Sequence, residues 1–211
     1  MIADDRLDTL PPTWRLALAY APAAVRPYWL SFLALDVRLA GVVRGAREPM
    51  LGQMKLAWWR DRFRAEPETW PKGEPLLASL RVWGGHAKGL EALVDGWESL
   101  LDEWDDGAAL IAGRVAGMQA LAAALGAQSD KVAAMAQGWA AMDVASHLGD
   151  AAERDKAMAR LADLDWKRRN LPRAMRPLTV LHGLARRQHE GGDPASPMAL
   201  VHAIRLGIFG A

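Results

Sequence analysis

At 211 residues and 23.0 kDa the chain is long enough for one globular domain with its own core. A hydrophobic share of 51% and a formal charge of +1 exclude an intrinsically disordered chain and give no global field toward nucleic acid or anionic lipid. Cysteine is absent, which removes disulfides, thiolate metal sites, iron–sulfur clusters and cysteine nucleophiles together.

The 40 alanines against 19 Val, Ile and Thr favour helix over strand, so the chain reads as all-α. Residues 1–12 read as a tail. Within them Asp4-Asp5-Arg6-Leu7-Asp8 spells a DDxxD magnesium pattern, but the string runs straight into Leu10-Pro11-Pro12, where no rigid helix is expected to make its carboxylates converge. Helices then follow at about 13–20, from Pro22 to Gly45, and from Pro49 to just before Pro67. Residues 66–74, with Pro67, Pro71 and Gly73, form a loop. Later helices fall at about 75–82, 86–105, 107–125, 129–148, 151–165, 174–190 and 197–209, with glycines at the breaks. No repeat and no long linker divides 13–211, which is one helical domain.

In the helix that begins at Pro22, Phe32, Leu35, Leu39 and Val42 form one apolar stripe, and Trp29, Leu33, Ala40 and Val43 form another beside it. A wide apolar arc marks a central helix. Asp36 lies inside the second stripe, so it is expected to be paired with one of the 20 arginines or to serve a ligand. The next helix carries Leu51, Met54 and Trp58 on one side and Leu56, Trp59 and Phe63 on another, the pattern of a helix lying between neighbours. Asp102-Glu103-Trp104-Asp105-Asp106 reads as a solvated helix end.

Asp143, His147 and Asp150 at i, i+4 and i+7 share one face if the helix continues through Gly149, and Arg154 extends that line. Imidazole and carboxylates suit a divalent metal. The same three residues also read as the polar face opposite Val132, Met135, Trp139 and Met142. No HExxH, GxxxxGK or GxSxG string is present, and no serine sits in a nucleophile elbow. The start of the chain has no secretory pattern. The longest uncharged stretch, Val115 to Ser129, has 15 residues where a spanning helix needs about 20. A cytoplasmic protein, at most peripheral to a membrane, is expected.

Several segments carry a resemblance. They are Leu18-Ala19-Tyr20-Ala21-Pro22 with Leu33-Ala34-Leu35-Asp36-Val37-Arg38-Leu39-Ala40, then Gln53-Met54-Lys55-Leu56-Ala57-Trp58-Trp59-Arg60-Asp61. Leu93-Val94-Asp95-Gly96-Trp97-Glu98, Arg114-Val115-Ala116-Gly117 and Arg176-Pro177-Leu178 follow. From about Trp14 to Gly210 the chain resembles the squalene/phytoene synthase family, closest to a divergent bacterial branch that is itself similar to assembly factors of respiratory complex I. The resemblance implies an isoprenoid-synthase-like helical bundle. In catalytic members two aspartate-rich motifs on facing helices hold magnesium on prenyl diphosphates. The first motif falls on Ala40-Gly41-Val42-Val43-Arg44, without a carboxylate, and the second near Asp143 to Asp150, with a partial acidic set.

The expectation is therefore a degenerate, non-catalytic member that binds an isoprenoid or lipid, or serves respiratory-complex subunits, with no cofactor assigned. The alternative is an active, magnesium-dependent transferase of farnesyl or geranylgeranyl diphosphate. Asp36, Arg44, Arg60, Asp143, His147 and Asp150 delimit the candidate cavity, with Asp143, His147 and Asp150 as the candidate metal ligands. The transferase alternative requires Asp36 and Asp143 to face one cavity.

Overall fold

The computed structural model describes residues 5–101, 107–167, 169–193 and 196–210. Among these residues there is no strand, as the alanine-rich composition predicts. The α-helices are α1 (Asp5–Thr9), α2 (Pro12–Leu18), α3 (Arg26–Arg44), α4 (Pro49–Arg64), α5 (Pro75–Leu80), α6 (Glu91–Glu98), α7 (Ala108–Ala124), α8 (Asp130–His147), α9 (Ala151–Leu161), α10 (Arg176–His189) and α11 (Pro197–Phe209). Short 3₁₀ segments cover Pro67–Thr69, Arg81–Leu90, Ser99–Leu101 and Arg173–Met175. No helix among the described residues is long and apolar enough to cross a membrane.

Proline opens α2, α3, α4, α5, α10 and α11 within the first two helical positions, where its missing N–H costs nothing. Ser129, Asp150 and Ser196 cap α8, α9 and α11 by accepting from backbone N–H groups of the first turn. The central position expected of α3 is observed. Trp29, Phe32, Leu33, Leu35 and Leu39 are all fully buried there, and α3 touches α1, α2, α4, α5, α6 and α7. Around it α7 packs chiefly on α6 and α8, and α8 packs on α10.

Three expectations need revision. Leu10, within the stretch read as a tail, is buried in the core, and Asp5–Thr9 before it is helical. As far as Leu101, the single helix expected over 86–105 is instead the end of the 3₁₀ segment Arg81–Leu90, then the short α6, then the 3₁₀ turn Ser99–Leu101; the 3₁₀ segment is itself kinked at Gly84 with φ 52°, a conformation that glycine adopts without a Cβ clash. The break expected at Gly149 is observed: α8 stops at His147 and Leu148 is extended, so the condition that would put Asp150 on the face of Asp143 and His147 is not met. The side of α4 bearing Leu51, Met54 and Trp58 does not lie against a neighbour: all three are exposed, while Leu56, Trp59 and Phe63 are buried. Periodicity identified two apolar sides, but only one has a helix over it. Asp4 and the acidic cluster 102–106 lie outside the described residues.

Candidate functional site

The centre of the bundle is organised by one cation. Arg114 sits in the middle of α7 and is the sole charged side chain in that helix, surrounded in sequence by Ala, Gly, Val and Met. Its position depends on an unusually close crossing of α6 and α7. A Cβ on Gly113 would lie 2.4 Å from the Ala92 carbonyl oxygen, and one on Gly96 would lie 2.8 Å from the Ala109 carbonyl oxygen. Only glycine allows the two backbones to approach this far. The next residue on each helix, Trp97 and Arg114, then reaches the same buried carboxylate.

That carboxylate is Asp36, whose residue exposure is 0%. Arg114 Nε donates to Asp36 Oδ2 at 3.0 Å, and the Trp97 indole N–H donates to Asp36 Oδ1 at 2.5 Å. Arg114 Nη1 donates to Asp143 Oδ2 at 2.6 Å. One guanidinium thus joins a carboxylate from α3 to a carboxylate from α8. Its carbon also lies 5.6 Å from the Trp14 ring centroid, 5.4 Å from Trp97 and 5.4 Å from Trp139, within range for cation–π attraction. Trp14 and Trp139 meet edge to face at 5.5 Å, which closes the cage.

The electrostatics follow from burial and pairing. Burial pushes the Asp36 carboxyl above its ordinary range, and the neighbouring Arg114 charge and the Trp97 hydrogen bond pull the other way. Burial also works against the Arg114 charge, but Asp36 and Asp143 outweigh it and hold the guanidinium more firmly protonated than in water. Asp143 has a side-chain exposure of 18%, so it carries the site's charge toward the solvent side of the cavity.

This constellation borders a cavity of about 380 Å³ lined by Asp36, Arg44, Trp97, Arg114, Asp143 and His147, among others. Four of the residues expected at a cavity from the sequence, Asp36, Arg44, Asp143 and His147, are therefore brought together. His147 is exposed (73%) and stays close to Asp143, with Nδ1 3.8 Å from Oδ2. Two expected residues lie elsewhere. Arg60 donates from Nε to Asp95 Oδ1 at 2.7 Å and also pairs with Glu98, which ties α4 to α6. Asp150 caps α9 by accepting from the Glu153 N–H at 2.9 Å, and Arg154 donates to the Leu148 and Gly149 carbonyls.

The donor set as arranged does not suit a divalent metal. Asp36 and Asp143 each already spend an oxygen on Arg114, whose fixed positive charge would oppose a second cation. Among the described residues no three His, Cys, Asp or Glu side chains gather as a metal set. A second cavity of about 720 Å³ lies between α7, α8 and α9. Ala112, Val115, Ala116, Ala133, Ala134 and Leu161 give it apolar walls, with Gln119, Asp130 and Arg160 also in the lining.

Arg114, Trp14 and Trp97 are not among the residues expected at the site from the sequence. A usable signal was present for Arg114: a lone charge in a 17-residue helix of small and apolar residues must be buried with a partner. Compared with known proteins, the chain matches no family model, no curated protein sequence and no solved structure at a significant level.

Proposed function

We propose that the chain is a non-catalytic relative of the squalene/phytoene synthases. On this reading it is a cytoplasmic protein with an isoprenoid-synthase-like bundle that holds an isoprenoid or other lipid and acts as an accessory factor in respiratory-complex assembly. The observation that carries the reading is the Arg114 guanidinium seated between Asp36 and Asp143. In catalytic members, as the resemblance implies, carboxylates on facing helices hold the magnesium that takes up the charge of the departing diphosphate. Here the positions of the first motif carry no carboxylate, and a side-chain cation takes up Asp143 of the second together with Asp36, one helical turn before the first; freeing them means breaking a buried ion pair, which costs about 3–5 kcal/mol. The alanine-lined cavity of about 720 Å³ is of a size that small apolar ligands fill.

Purified protein incubated with magnesium and farnesyl or geranylgeranyl diphosphate is expected to release no pyrophosphate. Farnesol is expected to bind saturably, and Ala116→Trp, which fills the alanine-lined cavity, is expected to abolish that binding. Co-purification of respiratory-complex subunits with the tagged protein tests the accessory role. One observation favours a second reading, a magnesium-dependent prenyl transferase: Asp36 and Asp143 do converge on one cavity from α3 and α8. Pyrophosphate release that disappears in Asp143→Asn would establish that reading and defeat the first.

A further inference from the structure

Helix α11 lacks the polar face that a solvent-exposed helix normally shows. Ala199, Ala203 and Leu206, at i, i+4 and i+7, are buried on the side that packs against α10. On that same inner side Gly207 admits the Tyr20 ring, since a Cβ there would lie 2.1 Å from Tyr20 Cδ1. The remainder of the helix should be polar and is not. Met198, Leu200, Val201, Ile204, Ile208 and Phe209 are exposed by 41–72%, and Arg205 is the one charged residue of the helix.

The charge around this face identifies its occupant. From Lys167 to Ala211 the sequence has eight Lys and Arg against two Asp and Glu, although the whole chain carries only +1. Arg205 lies on α11, and Arg176, Arg186 and Arg187 lie on α10, which packs against it; Glu190, paired with Arg186, and Asp193 in the connecting loop leave four basic against two acidic residues here. Arg186, Arg187 and His189 fall in the last turn of α10, and the Arg176 guanidinium lies against Gly210 at the end of α11. An apolar helix face in a basic setting is the pattern of a helix lying in the plane of an anionic bilayer. A symmetric contact with a second copy would instead set two basic regions against each other.

We propose that α11 docks this protein on anionic lipid surfaces, with Leu200, Val201, Ile204, Ile208 and Phe209 entering the acyl boundary and the surrounding basic side chains meeting lipid phosphates. The proposal is independent of the function assigned to the Arg114 cage.

The test is co-sedimentation of the full chain with vesicles of phosphatidylcholine alone and of phosphatidylcholine with about one-third phosphatidylglycerol. Binding to the anionic vesicles is expected to be at least about tenfold tighter than to neutral ones and to weaken in high salt. Ile204→Glu/Ile208→Glu is expected to weaken it by about tenfold or more, with circular dichroism and melting temperature unchanged because both side chains are exposed. If that variant unfolds, Phe209→Ser at the end of the helix gives the same test and is expected to weaken binding. Absence of binding to anionic vesicles, or equal binding by a folded variant, overturns the proposal. So does a concentration-dependent dimer that Ile204→Glu/Ile208→Glu dissolves without any vesicle binding, which would give the face to a second copy.

Discussion

Replacing Arg114 by methionine keeps most of the side-chain volume but removes the charge that Asp36 and Asp143 share. Asp36 then remains at 0% exposure with only the Trp97 indole N–H as a partner. Breaking a buried pair from one side costs about 3–5 kcal/mol, because an uncompensated charge is left in the interior. A domain of this size has a total stability of roughly 5–15 kcal/mol, so the loss is a large part of it. At about 2–4 °C per kcal/mol the melting temperature should fall by roughly 6–20 °C. The double variant Arg114→Met/Asp36→Asn removes both charges yet keeps an acceptor for Trp97, and should recover about half or more of the loss. Arg114→Lys keeps the charge but cannot fork between two carboxylates, so it should lie between the wild type and Arg114→Met. Urea unfolding followed by far-UV circular dichroism measures these four proteins and the single variant Asp36→Asn. An Arg114→Met protein within about 1 kcal/mol of the wild type, or single losses that simply add in the double variant, would refute the reasoning.

Gly113→Ala gains about 1 kcal/mol of helix propensity but puts a methyl 2.4 Å from the Ala92 carbonyl oxygen. Overpacking against backbone should win, with a net loss of about 1–3 kcal/mol in urea unfolding and a shift in the fluorescence of Trp97. Asp150→Ala should cost only about 1 kcal/mol, the value of a helix cap, and leave the Arg114 cavity and its fluorescence unchanged. His182 is fully buried and donates from Nδ1–H to the Met135 carbonyl oxygen at 3.1 Å, and burial holds its pKa below the ordinary value of 6.5. The unfolded chain therefore binds the extra proton first. Stability contributed by this residue is present above pH 6.5 and is lost as pH falls through the lower folded-state value. Melting temperatures across that acid window should decline more steeply for the wild type than for His182→Gln.

The all-helical class, the central place of α3 and the buried face of α8 are legible because each depends on composition or local periodicity. The burial of Asp36 was legible for the same reason: it stands among Leu33, Ala40 and Trp29 on one arc. Its partner was not. Arg114 is 78 residues away, and no spacing rule reaches from α3 to α7. The cage is more distant still from any local pattern, since Trp14, Trp97 and Trp139 arrive on α2, α6 and α8. What brings them together is the glycine-mediated crossing of α6 and α7, a property of two backbones rather than of one helix. The polar line Asp143, His147, Asp150 failed for a different reason: extended Leu148 ends the helix, so Asp150 turns to the next one. For Leu51, Met54 and Trp58 the period was right, but periodicity records which side is apolar and not whether anything covers it.

The tethering of the central cation has a consequence for how the core responds to its surroundings. A free ion stabilises a fold only in proportion to its supply, so its contribution drains away on dilution or chelation. A guanidinium built into α7 is present at one per molecule under every condition and cannot diffuse off. Charge balance between α3 and α8 is thereby set at translation, and the cohesion it provides is indifferent to the divalent content of the cell.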